Sequence, residues 1–188
     1  SRQPTWDLAM RLQGEMFTEA ALVGGLDVQL LYYRGFDECR ASRWVRDGAD
    51  LLSLMTRIQV AGGHTQIRKV LKHARDECRK APVQALVFVG DAMEEDVDDL
   101  CRIAGELGLL KLPCFMFQEG ADPGVEAAFR EIARLSGGAW CRFDAGAANQ
   151  LRALLQAVAA YAAGGRKALA ALKERGGEGA RLLLERLR

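Results

Sequence analysis

Short apolar runs alternate along the chain with segments in which apolar residues recur every three or four positions. The clearest run is Ala-Leu-Val-Phe-Val at residues 85–89, bounded by Pro82 and Gly90. It is too short and too rich in β-branched residues for a helix, so it predicts a strand buried on both faces of a parallel sheet. Further strands are predicted at residues 26–33, 112–117 and 139–143, with an antiparallel edge strand at 38–45 that carries Arg40 and Arg43 outward.

Helical periodicity occupies the segments between these strands. Helices are predicted at about residues 5–23, 47–58, 67–78, 94–107, 125–135 and 149–163. Gly108 is expected to stop the fourth of them. This alternation predicts the α/β class, as a doubly wound, mainly parallel sheet with helices on both faces and one antiparallel edge strand.

The composition changes after Gly164-Gly165, which divides the chain into a domain at residues 1–163 and a tail at 164–188. Residues 166–188 hold seven Arg or Lys against three Glu, with leucines between them. The pattern predicts one or two basic amphipathic helices, broken near Gly176-Gly177. The tail either packs back on the domain, or docks a partner through Arg166 and Lys167, or contacts an anionic membrane surface.

The charge balance and the cysteines limit which binding partners and which cellular compartment the sequence predicts. Lys plus Arg number 26 against 25 Asp plus Glu, so no overall basic field favours nucleic acid. The five cysteines are odd in number and form no Cys-x-x-Cys pair, which predicts reduced thiols in a cytoplasmic protein. We expect Cys101, Cys114 and Cys141 to be buried and unpaired, and neither histidine has zinc-ligand spacing to a cysteine. No run approaches the roughly 18 apolar residues of a transmembrane segment.

The three tryptophans are predicted to have structural roles and no role in ligand binding. Trp44 is expected to be exposed at the end of the edge strand, and Trp6 and Trp140 near the rim or at helix-packing surfaces.

Two oxygen-bearing side chains are expected at the carboxyl edge of the sheet, where open α/β folds keep their ligand crevices. Thr65 lies in the glycine-rich loop Gly62-Gly63-His64-Thr65 before a helix, and Asp91 follows the strand that ends at Gly90. Hydroxyl and carboxylate oxygens suit Mg²⁺ or Mn²⁺. The loop matches neither nucleotide-binding glycine motif.

A simpler interpretation is that Asp91 caps the following helix, since the acidic residues at 94–96 also suit a helix N-terminus.

At these residues the chain resembles the von Willebrand factor type A (VWA) domain family, of the bacterial intracellular type. Gly62-Gly63-His64-Thr65 is similar to the family's Gly-Gly-Thr loop with one residue inserted, and residues 88–91 (Phe-Val-Gly-Asp) are similar to its strand-ending Asp. Ser1 matches the last Ser of the Asp-x-Ser/Thr-x-Ser motif. The motif's leading Asp and the strand before it have no counterpart, so we expect that strand to be missing and residues 26–33 and 84–90 not to be direct neighbours.

The resemblance implies a non-enzymatic protein-binding module with a metal-ion-dependent adhesion site (MIDAS). Ser1, Thr65 and Asp91 would bind Mg²⁺ or Mn²⁺, weakly because only one carboxylate remains, and the ion would bind an Asp or Glu of a partner protein. His64 is a candidate partner contact beside that ion.

Two alternatives stay open. One is a Mg²⁺-dependent phosphoryl-transfer or hydrolytic enzyme, in which Asp91 positions the ion and His64 lies near the substrate. The other is a scaffold without metal. The binding module is favoured over the enzyme because no basic residue beside Asp91 could clamp a phosphate.

Overall fold

The computed structural model describes residues 7, 10, 24–59, 63–144 and 147–187 of the 188-residue chain. The chain divides into two compact units. The first comprises Ser1–Gly63 and Ala145–Leu184, and the second comprises His64–Asp144 and Glu185–Arg188. The predicted helix at residues 5–23, with Trp6, and the candidate ligand Ser1 lie outside the described residues, apart from positions 7 and 10, which are helical.

A β-hairpin and a short helix form one part of the first unit. Strands β1 (Val28–Arg34) and β2 (Glu38–Val45) pair antiparallel in a two-stranded sheet, and helix α1 (Gly48–Thr56) follows. Asp47 caps α1 by accepting a hydrogen bond from the backbone N–H of Asp50. A small core of Val45, Leu51 and Met55 joins the hairpin to the helix.

The C-terminal helices belong mainly to the same unit. Helix α5 (Ala148–Glu174) is interrupted at Gly165, whose φ of 66° and ψ of −161° are not helical, and helix α6 (Glu178–Arg186) follows. A methyl group on Gly179 would lie 2.0 Å from the backbone oxygen of Ala153, so α6 begins in direct backbone contact with α5. The break at Gly165 coincides with the composition change at residues 164–165, and Gly176 and Gly177 separate the two helices as predicted.

Leucines of the tail are inside the protein. Leu169 and Leu183 are fully buried, and Leu172 and Leu187 retain less than a tenth of their accessible surface. Of the three alternatives left open for the tail, packing on the rest of the chain is the one that this burial supports.

The second unit is built on a three-stranded parallel sheet with neighbouring strands in chain order. Strands β3 (Leu86–Gly90), β4 (Cys114–Glu119) and β5 (Ala139–Phe143) pair along their length. Three helices accompany them: α2 (Ile67–Lys80), α3 (Val97–Leu109) and α4 (Pro123–Ser136). Phe88 of β3 meets Phe129 of α4 edge to face, with ring centres 5.5 Å apart, so α4 covers the sheet face that carries Phe88.

Local sequence signals explain where these helices begin and end. Asp122 caps α4 by accepting bonds from the backbone N–H groups of Gly124 and Val125, and Gly137 ends that helix in the left-handed conformation. The prediction that Gly108 stops the preceding helix is wrong, because α3 runs on to Leu109. A side chain at Gly108 would lie 2.3 Å from the Leu135 backbone oxygen, so this glycine lets α3 and α4 approach closely.

The architecture is therefore mixed α/β, but the strands are arranged differently from the prediction. Among the described residues, β1 and β2 form a sheet of their own, and they are not the edge of the parallel sheet. The expectation that residues 26–33 do not pair directly with residues 84–90 agrees with this, since β1 pairs with β2 and β3 with β4.

Cysteines and tryptophans largely follow the prediction. All five cysteines fall in the described part of the chain and are free; Cys114 and Cys141 are buried, but Cys101 is only partly buried. Trp44 is exposed at the end of β2. Trp140 is buried in β5, where its indole N–H donates to the Gln118 side chain.

Within the described residues, no helix combines the length and the apolarity that crossing a membrane requires.

Candidate functional site

The site begins in the loop before α2, where Thr65 is held by a carboxylate from a distant segment. The Thr65 hydroxyl lies 2.7 Å from Oε2 of Glu94, and the Thr65 backbone N–H donates to the same oxygen at 3.0 Å. The backbone N–H of Glu94 in turn donates to Thr65 Oγ1 at 3.3 Å. Thr65 is 7% exposed, and three hydrogen bonds, two of them through its hydroxyl, join this buried residue to Glu94 in the loop after β3.

The neighbouring Glu95 closes the N-terminus of α2. Its carboxylate accepts from the backbone N–H groups of Ile67 at 2.5 Å and Arg68 at 3.0 Å. The first N–H groups of a helix have no partner inside the helix, and a negative charge is favoured there. Gln66, in the N-cap position, contributes no side-chain capping bond. Glu95 thus caps α2 from another loop.

Electrostatics keep Glu94 in its charged form. The hydrogen bond from the Thr65 hydroxyl lowers the pKa of the Glu94 carboxyl below its ordinary value. Burial opposes this shift, while the Thr65 backbone N–H and the charge of His64 support it. At neutral pH the loop therefore presents an ionised carboxylate against the Thr65 hydroxyl.

The structure gives Thr65 a partner that is not among the predicted site residues. Thr65 meets the segment that starts at Asp91, because Glu94 binds Thr65 and Glu95 binds the first backbone N–H groups of α2. Asp91 is exposed at the bend immediately after β3, and His64 is exposed beside Thr65. The direct partner of Thr65 is Glu94, three residues beyond Asp91.

The remaining predicted site residues lie elsewhere or are not described. Arg166 and Lys167 are exposed just after the break at Gly165, in the first unit, whereas Thr65 and Asp91 belong to the second. Ser1 lies outside the described residues.

The roles expected for the acidic residues at 94–96 need correction. They were assigned to the N-terminus of their own helix, but that helix begins at Val97, and only Asp96 caps it, through the backbone N–H of Asp99 at 2.9 Å. Glu94 and Glu95 instead bind the loop and the helix that precede β3. The sequence did carry a signal for this. Three acidic residues precede a helix that needs only one N-cap, so the other two were available to bind elsewhere.

Cation-binding chemistry at this edge rests on oxygen atoms. In the described part of the chain, no group of three or more His, Cys, Asp and Glu side chains is placed to hold a metal ion. Oxygen atoms available in this part of the chain include the Thr65 hydroxyl and the carboxylates of Asp91 and Glu94.

Comparison of the chain with known proteins adds no relative. No protein-family model, no curated protein and no solved structure matches it.

Proposed function

We propose that this chain is a non-enzymatic protein-binding module of VWA type, which binds a divalent cation at the carboxyl end of β3 and, through it, an Asp or Glu of a partner protein. The observation that carries the proposal is the hydrogen bond between the Thr65 hydroxyl and Glu94. It joins the loop with the Gly-Gly-His-Thr sequence to the segment that begins at Asp91. This contact supports assigning both sequence signals of the VWA resemblance to one site.

The chemistry of the donors fits the proposed ion. Thr65 and Asp91 offer a hydroxyl and a carboxylate, which are hard oxygen ligands of the kind that Mg²⁺ or Mn²⁺ prefers. These two residues would hold the ion together with Ser1. When bound, the cation supplies a positive centre with positions left for water or for a partner's carboxylate. The proposal carries with it the family's doubly wound sheet, in which the first strand is central.

The partner surface would surround the ion. His64 is exposed next to Thr65 and could contact an acidic partner. Arg166 and Lys167 are exposed basic residues of the first unit, and we propose them as separate candidate contacts to a partner protein.

Direct binding of Mn²⁺ tests the proposal, with titration calorimetry and electron paramagnetic resonance as readouts. The wild-type chain is expected to bind Mn²⁺ weakly, in competition with Mg²⁺. Asp91→Ala is expected to abolish binding, and Thr65→Val is expected to weaken it. Asp98→Asn is the matched control, because it removes an exposed carboxylate from the first turn of α3 without touching the site. Binding that survives Asp91→Ala would contradict the proposal.

A second assay on the same samples distinguishes the enzyme alternative from the binding module. Hydrolysis of para-nitrophenyl phosphate that needs Mg²⁺ and is lost in Asp91→Ala would replace the binding module with a phosphoryl-transfer enzyme. If the wild-type chain neither binds Mn²⁺ nor hydrolyses the ester, the metal-free scaffold takes over.

A further inference from the structure

We propose that Glu94 is a positioning residue for the cation site: it fixes the Thr65 hydroxyl so that a single lone pair of Oγ1 remains for the ion. This inference rests on the proposed function. Glu94 is not part of the sequence motifs that resemble the VWA family. The inference follows from the hydrogen bonds that the Thr65 hydroxyl makes.

A threonine hydroxyl has one proton to donate and two lone pairs with which to accept. The ionised carboxylate of Glu94 can only accept, so the contact of 2.7 Å uses the hydroxyl proton. The backbone N–H of Glu94 donates to the same Oγ1 at 3.3 Å and uses one lone pair. Counting the described residues, one lone pair of Oγ1 is left. Its direction is set, because Glu94 occupies the other two hydrogen-bonding positions of the hydroxyl.

Rotation of the hydroxyl is therefore restricted before any ion arrives. Outer partners that orient a ligand in this way commonly raise metal affinity, because the ligand need not be reorganised on binding. Glu94 also places a negative charge next to Thr65. The residues that match the family motif supply one carboxylate, that of Asp91, so Glu94 adds a second. Both effects act in the same direction and strengthen a site that would otherwise be weak.

A purely structural role makes a different prediction. If Glu94 only joins two loops, its substitution lowers the stability of the fold without a specific effect on cation affinity. The substitution of Glu95 would then have the same result. Glu95 offers a matched control, since it is the adjacent residue and accepts two backbone hydrogen bonds from α2 without contacting the Thr65 hydroxyl in the described contacts.

The experiment measures Mn²⁺ affinity by titration calorimetry in the wild-type chain, Glu94→Gln, Glu95→Gln and Thr65→Val. Glu94→Gln is expected to weaken Mn²⁺ binding by about 10-fold or more, the usual effect of removing such an outer partner. Glu95→Gln is expected to change affinity less than twofold. In the Thr65→Val background, adding Glu94→Gln should have no further effect, because the hydroxyl that it orients is absent.

Three further results complete the test. Thermal unfolding without metal tests whether Glu94→Gln and Glu95→Gln are folded. If Glu94→Gln is unfolded, Glu94→Asp replaces it, because aspartate keeps the charge on a shorter side chain. Glu94→Asp should weaken Mn²⁺ binding by several-fold. Wild-type-like Mn²⁺ affinity in the folded Glu94 variant, or an equal loss in Glu95→Gln, overturns the positioning role and leaves the proposed function intact. If the wild-type chain itself binds no Mn²⁺, the proposed function fails, and the inference fails with it.

Discussion

The two sheets of this protein are stabilised in different ways. In the parallel sheet, five of the six residues of β4 are buried. In the antiparallel hairpin, all seven residues of β1 are partly exposed, and only Val45 of β2 is buried. A strand covered on both faces is held by apolar packing and reads as a continuous apolar run. A hairpin strand covered on one side relies on fewer buried groups and carries charge on its exposed positions.

The largest expected difference between the two sheets is in thiol reactivity. Burial raises the pKa of Cys114 in β4 to about 12, and the residue is fully buried, whereas Cys39 in β2 is partly exposed. Only the thiolate attacks an alkylating reagent, and a buried thiol reacts only when the structure opens. Iodoacetamide followed by mass spectrometry should find Cys114 labelled at least about 100-fold more slowly than Cys39.

Complete labelling of both thiols in denaturant provides the control for this comparison. Equal rates in the native protein would mean that β4 is not the buried centre of its sheet.

The next largest effect is expected from truncating a core aromatic residue. Phe117 of β4 is fully buried, so Phe117→Ala should lower the free energy of unfolding by about 3–5 kcal/mol, through lost burial and the cavity left behind. Tyr32→Ala in β1 removes a half-buried side chain and should cost less than about 2 kcal/mol. Urea denaturation followed by circular dichroism measures both, and similar losses would remove the contrast between the sheets.

Strands and helices were predictable here because each carries its own pattern. The run at 85–89 and the periodicity after residue 67 depend only on local burial, and both elements form where expected. The pairing of strands is not local: nothing in residues 38–45 states whether their hairpin joins the parallel sheet or stands alone. The structure separates the two sheets, and this could not be derived from periodicity.

The candidate site illustrates the same limit at the level of single residues. Thr65 and Asp91 are candidates from the sequence because they sit in recognisable loops at the ends of elements. Glu94 and Glu95 are adjacent to an acidic cap, so they were assigned to that cap. Their actual partners lie 27 to 29 positions earlier in the chain, a separation that no local sequence pattern spans.

A glycine at the start of β5 should reveal how tightly the parallel sheet is packed. A methyl group on Gly138 would lie 2.0 Å from the backbone oxygen of Cys114, which cannot move without disturbing β4. Gly138→Ala is expected to destabilise the protein by about 1–3 kcal/mol, the usual range for overpacking.

Gly105→Ala is the matched control for that substitution. Gly105 lies inside α3 with no atom within 4 Å of the added methyl group, so alanine there should stabilise the helix by roughly 0.5–1 kcal/mol. Thermal unfolding of the two variants should therefore shift in opposite directions. A neutral Gly138→Ala would show that β4 and β5 can separate at little cost.

The smallest effect is expected at the turn of the hairpin, where Arg34 and Glu38 form an ion pair with N···O at 2.5 Å. Both side chains are partly exposed, so water and salt screen their attraction. Glu38→Gln should move the unfolding midpoint by an amount close to the detection limit, and less still at high salt. Arg40 also contacts Glu38, so Arg40→Gln serves as the companion variant.

The pH dependence of this pair has a definite sign. The hydrogen bond from Arg34 is the main reason that the pKa of Glu38 lies below its ordinary value, so the folded hairpin holds fewer protons than the unfolded chain. The stabilisation is present above the ordinary Glu pKa and is lost as pH falls through the lowered value. The unfolding curves of wild type and Glu38→Gln should therefore converge in acid. A difference that persists in acid would mean that the Glu38 effect does not come from its charge. A large loss at neutral pH would mean that charge rather than apolar packing holds the hairpin together.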